Sequence, residues 1–371
     1  MIRNKFMSRD REGAVGATQV TIGRRQFLYW ALAASASLAE PWAALARTRL
    51  AVRVASNQGA ENAALQQLLL ATGYAKALSL DVEIVESRTV SGPMESLLSG
   101  DADICMISGF AGVLPAIAQG KPLRLVGAAM LLPALAVYSV NYNIRRVEDL
   151  RGRTIGVGPL NGLLHVLMMA LLRKKGIDAT QVRFVNAGSN AQVLEAVAEG
   201  KVDAGLSGVA GTSGANTPRV LEDGRLWLEL PEYTYQLSYA SVRALKEKPE
   251  SLARCVAAYT RLFRYLSGPR SRSAYLDARR RAASQGGAES SDAEGEAVWN
   301  FIQRYQPYAL EPGLTPERVA WLQELNIALG IQSQALGFDQ VVDLAPARGA
   351  NRLLPKSAAD IRGGRISIPT Q

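Results

Sequence analysis

The chain has 371 residues, of which 48% are hydrophobic and 20% charged, and its mean hydropathy is +0.02. These values are typical of a globular protein with room for two or three domains, and they exclude a disordered chain and a polytopic membrane protein. The formal charge of +9 is spread along the chain without interleaved aromatic residues, so we expect no nucleic-acid partner.

The first 46 residues carry the features of an export signal in the expected order. Arg24 and Arg25 precede a short, alanine-rich apolar stretch at 27–39, and residues 44–46 (Ala-Leu-Ala) offer the small side chains that a signal peptidase accepts. This order resembles a twin-arginine signal, and it predicts export to the periplasm. The apolar stretch is too short to cross a bilayer of about 30 Å. The other interpretation is an amphipathic helix on a cytoplasmic protein.

The residues that usually carry chemistry are few and scattered. Cys105 and Cys255 are the only cysteines, and both lie in apolar patterns that favour buried free thiols, although export makes a disulfide possible. His165 is the only histidine, so no zinc cluster is visible. No nucleophile elbow, phosphate loop or dinucleotide fingerprint occurs. The sequence predicts no cofactor, no metal and no enzyme activity.

From Leu50 onward, short β-branched runs alternate with helical patterns, which indicates βαβ units around largely parallel sheets. After Pro249 the pattern becomes helical, and we interpret the arginine run at 279–281 as a solvated helix face. Strands are predicted at 50–55, 80–85, 102–107, 135–140, 154–157, 182–185, 201–206 and 236–242. Helices are predicted at 92–100, 163–175, 191–199, 250–267, 292–305 and 315–329.

One segment of the chain is repeated about one hundred residues later. The helix, polar turn and strand at 97–107 are echoed at 196–206. In each copy a helix ends at a glycine, Gly100 or Gly200, and the strand ends in a Ser-Gly pair. This echo predicts two similar α/β lobes.

Residues 147–157 read Val-Glu-Asp-Leu-Arg-Gly-Arg-Thr-Ile-Gly-Val. This segment resembles the solute-binding proteins of transporters for nitrate, sulfonates, taurine and thiamine-precursor pyrimidines, which commonly carry Asp-Leu-x-Gly-Lys-x-Ile-Gly-Val at the start of the second lobe. The similarity extends to residues 99–104 and 200–204 and covers roughly residues 48–265. It implies a type II periplasmic-binding-protein fold, an α/β fold with two lobes, two crossover strands and a ligand cleft.

In these families the loop after the Ile-Gly-Val strand commonly reads Gly-Ser-x-x-His, and its amides and hydroxyl face the anionic group of the ligand. Here Asn161 stands in place of the usual glycine and Gly162 in place of the usual serine, whereas His165 is present. The change weakens the expectation of a sulfonate or nitrate ligand. His165 has two interpretations, a ligand contact or a hydrogen-bonded residue on a packed helix, and an apolar helix favours the second over any catalytic role.

In open α/β sheets, ligands bind beyond the carboxyl ends of the strands, where free amides of helix N-termini attract polar or anionic groups. Four segments fall at such places, namely 56–59, 108–111, 159–162 and 207–209. Glycine and serine are also ordinary turn and cap residues there, so each segment taken alone has a purely structural interpretation. The candidate ligand-binding residues are Asn57, Gln58, Ser108, Gly109, Phe110, Leu160, Asn161, Gly162, His165, Ser207, Gly208 and Tyr239.

The sequence thus predicts the soluble, monomeric binding component of an ABC-type importer, which passes a small organic or anionic solute to a membrane permease. Sulfonates, nitrogenous heterocycles, and aromatic and aliphatic acids all stay open as ligands. The alternatives are an enzyme on the same fold, similar to a pyrimidine synthase or porphobilinogen deaminase, and a ligand-sensing domain. The predicted division is a signal at 1–46, lobe I at 47–136 and 237–345, lobe II at 137–236 and a tail at 346–371.

Overall fold

The computed structural model describes residues 50–57, 59–89, 91–108, 112–209, 217–285 and 291–354. The predicted export signal at 1–46 therefore lies outside the described residues. No helix among the described residues is long and apolar enough to cross a membrane. The strands of the described residues are β1 (Leu50–Asn57), β2 (Leu80–Ser87), β3 (Ile104–Ser108), β4 (Leu123–Met130), β5 (Leu135–Ser139), β6 (Thr154–Val157), β7 (Arg183–Asn186), β8 (Ala204–Gly208), β9 (Arg219–Arg225) and β10 (Gln236–Ser241).

These strands form two five-stranded sheets of the same design. Sheet 1 has the order β2-β1-β3-β10-β4, and sheet 2 has the order β7-β6-β8-β5-β9. In each sheet the fourth strand, β10 or β5, runs antiparallel to both neighbours. The chain passes from sheet 1 to sheet 2 between β4 and β5, and it returns between β9 and β10.

Helices connect the parallel strands and cover the sheets. Apolar residues spaced for one helix face bury against the strands, as Leu167, Met168 and Leu171 do between Leu163 and Lys174. The helices of the described residues are α1 (Ala60–Thr72), α2 (Tyr74–Ala77), α3 (Gly92–Ser99), α4 (Val113–Ala118), α5 (Leu163–Lys174), α6 (Asn190–Ala198), α7 (Leu226–Glu229), α8 (Val242–Glu247), α9 (Pro249–Leu266), α10 (Arg272–Ser284), α11 (Asp292–Tyr305), α12 (Pro316–Ala328), α13 (Phe338–Val341) and α14 (Ala345–Leu353).

The sequence echo corresponds to the same structural position in both sheets. Asp103 precedes β3 and accepts the backbone N–H of Arg53 at 2.9 Å, whereas Asp203 precedes β8 and accepts that of Thr154 at 2.8 Å. Each aspartate thus ties the third strand of its sheet, β3 or β8, to the second strand, β1 or β6. Gly100 and Gly200 end the preceding helix segments with positive φ, which only glycine adopts without strain.

Two strands, β4 and β9, are absent from the sequence prediction. The second half of β4 reads Gly-Ala-Ala-Met, which lacks the β-branched residues that mark a strand. β9 reads Arg-Val-Leu-Glu-Asp-Gly-Arg, a composition more typical of a loop. Pairing with β10 and β5 respectively stabilises both as strands despite weak local preference.

The expectation of a solvated arginine face holds for Arg280 and Arg281 but is wrong for Arg279. Arg279 lies four residues after Tyr275, on the face of α10 that packs against α1, and only 7% of it is exposed. It forms an ion pair with Glu61 in the first turn of α1, and the Tyr275 hydroxyl donates to the same carboxylate at 2.6 Å.

The predicted tail at 346–371 begins with a helix in the structure. α14 packs on α9 with Ala347, Gly349 and Ala350 buried. The approach is close, because a Cβ atom on Gly349 would lie 2.6 Å from the Cβ of Ala253. Residues 355–371 lie outside the described residues.

Candidate functional site

The carboxyl ends of β1, β2 and β3 lie at one edge of sheet 1, and those of β6, β7 and β8 lie at one edge of sheet 2, because the strands within each set are parallel. We call these the carboxyl edges. In sequence, the loops that follow the six strands contain a single charged residue, Arg88, which is exposed. The six loops are 58–59, 88–91, 109–112, 158–162, 187–189 and 209–218. Arg225, the exposed last residue of β9, lies at the same edge of sheet 2, because it pairs with Ala136 of β5, which pairs with Ser207 on its other side. The carboxyl edges are therefore suited to a neutral or anionic ligand.

At the carboxyl edge of sheet 1, Asn57 ends β1 and its side-chain oxygen accepts a hydrogen bond from the amide of Asn62. Ser87 ends β2 and donates its hydroxyl to the carbonyl of Ser56 at 3.1 Å. These bonds tie the ends of β1 and β2 to each other and to the first turn of α1. Asn57 is thus held in a defined position at this edge.

A small pocket lies behind the carboxyl edge of sheet 1, at the start of α1. It is lined by the ends of β1 and β3, by α1 and by one side chain of α9. Its polar members are Ser56, Asn62, Gln66 and Tyr259, each more than nine-tenths buried. The apolar lining residues are Val54, Ala55 and Ile107. The sequence analysis did not single out Asn62, Gln66 or Tyr259.

The predicted contact Tyr239 is fully buried in this conformation. It lies in the middle of β10, opposite Cys105 of β3 and Leu125 of β4, with 0% of its surface exposed. Burial raises the pKa of its hydroxyl well above the usual value, and Cys105 and Ser108 are its polar neighbours. Tyr239 therefore supports the end of β3 from behind and does not line the carboxyl edge.

At the carboxyl edge of sheet 2, a tight turn at 159–162 joins β6 to α5. The Gly162 amide donates to the Pro159 carbonyl at 2.9 Å, and Asn161 has a φ of +63°. Asparagine tolerates this left-handed conformation better than most residues, which explains how it stands in place of the family's glycine. A Cβ atom on Gly162 would lie 2.8 Å from the Pro159 carbonyl oxygen, so a serine does not fit this turn without a shift.

His165 belongs to the turn and not to an exposed binding surface. Its Nδ1 accepts the backbone N–H of Asn161 at 3.0 Å, its ring packs edge-on against Phe184 with centroids 4.5 Å apart, and it is 8% exposed. Burial lowers its pKa, so the neutral ring that the hydrogen bond requires is favoured. In this structure His165 is therefore a hydrogen-bonded residue on a packed helix, the second of the two interpretations given above.

The remaining predicted residues of sheet 2 surround the start of α6. Ser189 caps this helix because its hydroxyl accepts the backbone N–H of Gln192, and the Gln192 side-chain oxygen accepts the backbone N–H of Ser189. Ser207, 2% exposed, donates its hydroxyl to the Asn190 carbonyl at 2.7 Å, and Tyr138 donates to the Gly208 carbonyl at 2.7 Å. Ser207 therefore braces α6, and the exposed asparagines at this edge are Asn161, Asn186 and Asn190.

The predicted residues thus fall into two groups, one at each carboxyl edge. Asn57 and Ser108 end strands of sheet 1, whereas Leu160, Asn161, Gly162 and Gly208 lie at the edge of sheet 2 beside His165 and Ser207. Leu160 is 59% exposed at the tip of its turn. Gln58, Gly109 and Phe110 lie outside the described residues. The spacing of Asn62 and Gln66, four residues apart, is a signal that could have marked the polar face of α1.

A larger pocket of about 420 Å³ lies at the opposite end of α5. It is formed by the last turns of α5, the segment after α7, and α12. Its charges balance, since it contains two cations and two carboxylates. The lining residues are Ala170, Arg173, Lys174, Leu230, Glu232, Trp321, Glu324, Leu325 and Ala328.

The described residues contain no cluster of three or more His, Cys, Asp or Glu side chains that could hold a metal ion. Cys105 and Cys255 are both fully buried free thiols. Burial raises the pKa of both, that of Cys105 to about 12, so neither is a ready nucleophile at neutral pH.

Comparison with known proteins identifies a family. The model of the NMT1/THI5-like family matches residues 68–267, more than half of the chain. No curated protein sequence matches the chain.

Several solved structures similar to this chain are solute-binding proteins. The alkanesulfonate-binding protein SsuA from Xanthomonas axonopodis pv. citri, bound to MOPS, aligns with a TM-score of 0.61 and 20% identity over 80% of this chain and 97% of that one. The aliphatic sulphonate binding protein SsuA from Escherichia coli aligns with a TM-score of 0.62 and 17% identity over 79% of this chain and 92% of that one. The nitrate-binding protein NrtA from Synechocystis PCC 6803 aligns with a TM-score of 0.63 and 11% identity over 85% of this chain and 91% of that one. These likenesses establish the periplasmic-binding-protein fold.

Proposed function

The chain belongs to the NMT1/THI5-like family, and from this premise we propose that it is the solute-binding component of an ABC-type importer. It captures a small organic or anionic solute between its two lobes and delivers the solute to a membrane permease. In this proposal residues 1–46 are a twin-arginine signal, the mature protein works in the periplasm as a monomer, and lobe II comprises residues 137–236.

One observation carries the proposal. Both sheets direct strand ends and helix N-termini toward carboxyl edges that carry hydrogen-bonding groups, with Arg88 and Arg225 as exposed cations. Such an edge binds a small polar molecule through amides and neutral side chains. His165 accepts a backbone N–H and both thiols are buried, so none of these three groups is a ready acid, base or nucleophile. A binding function needs no reactive group at these positions, whereas the enzyme alternative needs catalytic groups other than His165 and the two cysteines.

The first test is a search for the ligand. The chain without its predicted signal is heated in the presence of sulfonates, nitrate, pyrimidines, and aromatic and aliphatic acids. A ligand that binds only the folded state raises the melting temperature. We expect a shift with one chemical class and no turnover of the compound. Turnover of any compound in the panel contradicts the proposal and favours the enzyme.

A second test addresses the backbone amides of sheet 2. Leu163 is the first residue of α5, and Gly162 before it is extended, with φ −79° and ψ 174°, so a proline is sterically compatible at position 163. Leu163→Pro removes the amide N–H and the leucine side chain, whereas Leu163→Ala removes only the side chain. We expect Leu163→Pro to weaken ligand binding roughly tenfold relative to Leu163→Ala. Equal affinities would show that this amide does not contact the ligand.

Arg88 provides the test of ligand charge. If the ligand is an anion, Arg88→Gln is expected to weaken its binding and to reduce the dependence of binding on salt. Lys121→Gln is the matched control, because Lys121 is also exposed but precedes β4, at the opposite edge of sheet 1. An equal effect of both substitutions would indicate only a general influence of net charge.

A further inference from the structure

The chain crosses between the two sheets twice, and both crossings pass one side chain of α12. Residues 131–134 lead from β4 to β5, and residues 230–235 lead from α7 to β10. We call these the crossover segments. Arg318, in the first turn of α12, donates hydrogen bonds to both of them. A movement of one sheet relative to the other must be absorbed by backbone rotations in these segments.

The guanidinium of Arg318 bonds to oxygen atoms of the two crossover segments. In the first segment it donates to the carbonyl of Leu131 at 3.4 Å. In the second it donates to the carbonyls of Glu232 at 3.2 Å and Pro231 at 3.4 Å, and to the Thr234 hydroxyl at 3.5 Å. These bonds are long, but hydrogen bonds from a charged donor are roughly twice as strong as neutral ones. The five donors of a guanidinium allow one side chain to hold two segments at once.

The position of Arg318 is fixed from the side of sheet 1. The Thr315 hydroxyl accepts the backbone N–H of Arg318 at 3.4 Å, which caps the start of α12. The segment before this cap is bonded to β4, since the Gly313 carbonyl accepts the backbone N–H of Ala128 at 2.9 Å. Arg318 is therefore attached to sheet 1 and reaches the segment that returns from sheet 2.

The half-buried charge of Arg318 favours these contacts. Burial lowers the pKa of its guanidinium, and the negative charge of Glu232 opposes this shift. A partly buried cation is costly unless its N–H groups are hydrogen-bonded, and the carbonyls of the crossover segments supply those bonds. The side chain therefore favours an arrangement in which both segments lie close to it.

We propose that Arg318 is a positioning residue that holds the two crossover segments together and thereby limits how far the sheets separate in the ligand-free protein. The two segments then bend as one hinge, and the carboxyl edges stay within a narrow range of distances from each other. A protein held in this way loses less conformational entropy when a ligand binds. This benefit for affinity rests on the proposed binding function, whereas the restriction of the hinge does not.

The test measures the distance between the two sheets in the ligand-free protein. Spin labels are attached at Glu95→Cys and Ala191→Cys, which are exposed positions in the first turns of α3 and α6. These helices follow β2 and β7, the equivalent outer strands of the two sheets. Cys105 and Cys255 are fully buried, so the labels react with the introduced thiols. Pulsed electron paramagnetic resonance then gives the distribution of distances between the labels.

Arg318→Met keeps an unbranched side chain but removes every donor, and we expect it to widen the distance distribution roughly twofold. Arg318→Lys keeps the charge but loses the fork that reaches both segments, so an intermediate width is expected. The matched control is Arg264→Met. Arg264 is also half-buried and donates to the carbonyl of Leu310 at 2.7 Å, but both residues follow β10, so the bond involves no crossover segment. The control is expected to leave the width unchanged, and an unchanged width in Arg318→Met overturns the proposal.

Hydrogen exchange shows whether both segments are held. Arg318→Met is expected to speed the exchange of backbone amides in both crossover segments roughly fivefold and to leave the exchange of α5 unchanged. Faster exchange in only one segment would mean that Arg318 braces that segment alone, which contradicts the proposal. If Arg318→Met does not fold, the same comparison is made with Arg318→Lys. Neither measurement needs a ligand, so a ligand panel without response counts against the proposed transport function alone.

Discussion

Sheet 1 and sheet 2 share a strand order and a repeated sequence segment, yet their carboxyl edges present different chemistry. Sheet 1 presents Asn57 at its carboxyl edge, and Asn62, Gln66 and Tyr259 line the small pocket behind that edge. Sheet 2 instead presents the exposed side chains of three asparagines, Asn161, Asn186 and Asn190, while Ser189 and Ser207 are used to cap or brace α6. The repeated scaffold is retained, and the groups that face a ligand have diverged. We expect sheet 1 to select the ligand and sheet 2 to anchor it.

The largest expected difference between the two sheets is the loss of stability on substituting the equivalent aspartates, Asp103 and Asp203. Asp103 is 1% exposed and also receives Lys248 at 2.8 Å, whereas the Asp203 side chain is 32% exposed and its nearest cation, Arg153, is 3.9 Å away. Asp103→Asn is expected to lower the free energy of unfolding by about 3 kcal/mol, and Asp203→Asn by about 1 kcal/mol or less. Urea unfolding of both variants measures the difference, and similar losses would show that the sheets do not differ here.

The contribution of Asp103 should depend on pH. Burial alone would raise the pKa of this carboxyl, but the bonds from Lys248 and Arg53 together with their charges bring it below its usual value. A carboxyl with a lowered folded-state pKa stabilises the protein fully above its unfolded-state pKa of about 3.9, and this contribution is lost as the pH falls through the folded-state value. The stability difference between the original protein and Asp103→Asn is therefore expected to be constant above about pH 5 and to shrink below about pH 4. A difference that is independent of pH from 3 to 7 contradicts the assignment.

A smaller contrast concerns the second residue of β3 and of β8. Gly205 in sheet 2 stands where Cys105 stands in sheet 1, and a Cβ atom on Gly205 would lie 2.7 Å from Val193 and 2.8 Å from Val197 of α6. Gly205→Ala is expected to cost about 2 kcal/mol through overpacking. Cys105→Ala only removes a buried sulfur and is expected to cost about 1 kcal/mol. Thermal unfolding compares the two, and a neutral Gly205→Ala would mean that α6 packs less tightly than the structure indicates.

The smallest expected effect is at the turn of sheet 2. Asn161 adopts a left-handed backbone, so Asn161→Ala should lower stability by about 1 kcal/mol, whereas Asn161→Gly should change it by less than about 0.5 kcal/mol. If sheet 2 binds through amides, Asn161→Gly should leave ligand affinity unchanged. A marked loss of affinity would instead assign a binding role to the Asn161 side chain.

Local patterns were sufficient to predict most of the scaffold. The echo of Gly100 and Gly200 marked equivalent positions in two sheets, and the three helices predicted after Pro249 begin and end within a residue or two of their predicted bounds. The helices α10, α13 and α14 were not predicted. Alternating hydrophobicity and helix-ending glycines are properties of neighbouring residues, so they can be read from the sequence.

What the sequence did not predict depends on partners that lie far away along the chain. The arginine run predicted a solvated Arg279. The residue is buried because α10 packs against α1, whose Glu61 lies more than two hundred residues earlier in the chain. Asn62 and Gln66 are polar residues in a helix that otherwise looks amphipathic, and only the approach of Tyr259 makes them part of a pocket. Burial of Tyr239 likewise follows from its place in β10 between two neighbouring strands.

The order in which the strands are synthesised affects how the protein can fold. All five strands of sheet 2 fall in one continuous segment, from Leu135 to Arg225, whereas sheet 1 lacks β10 until residue 241 has been made. Until then β3 and β4 have no strand between them, and the unpaired backbone of β3 is a hazard for aggregation. Sheet 2 can therefore form first on the ribosome. Sheet 1 must wait, and its closure through distant contacts is the step expected to set the folding rate.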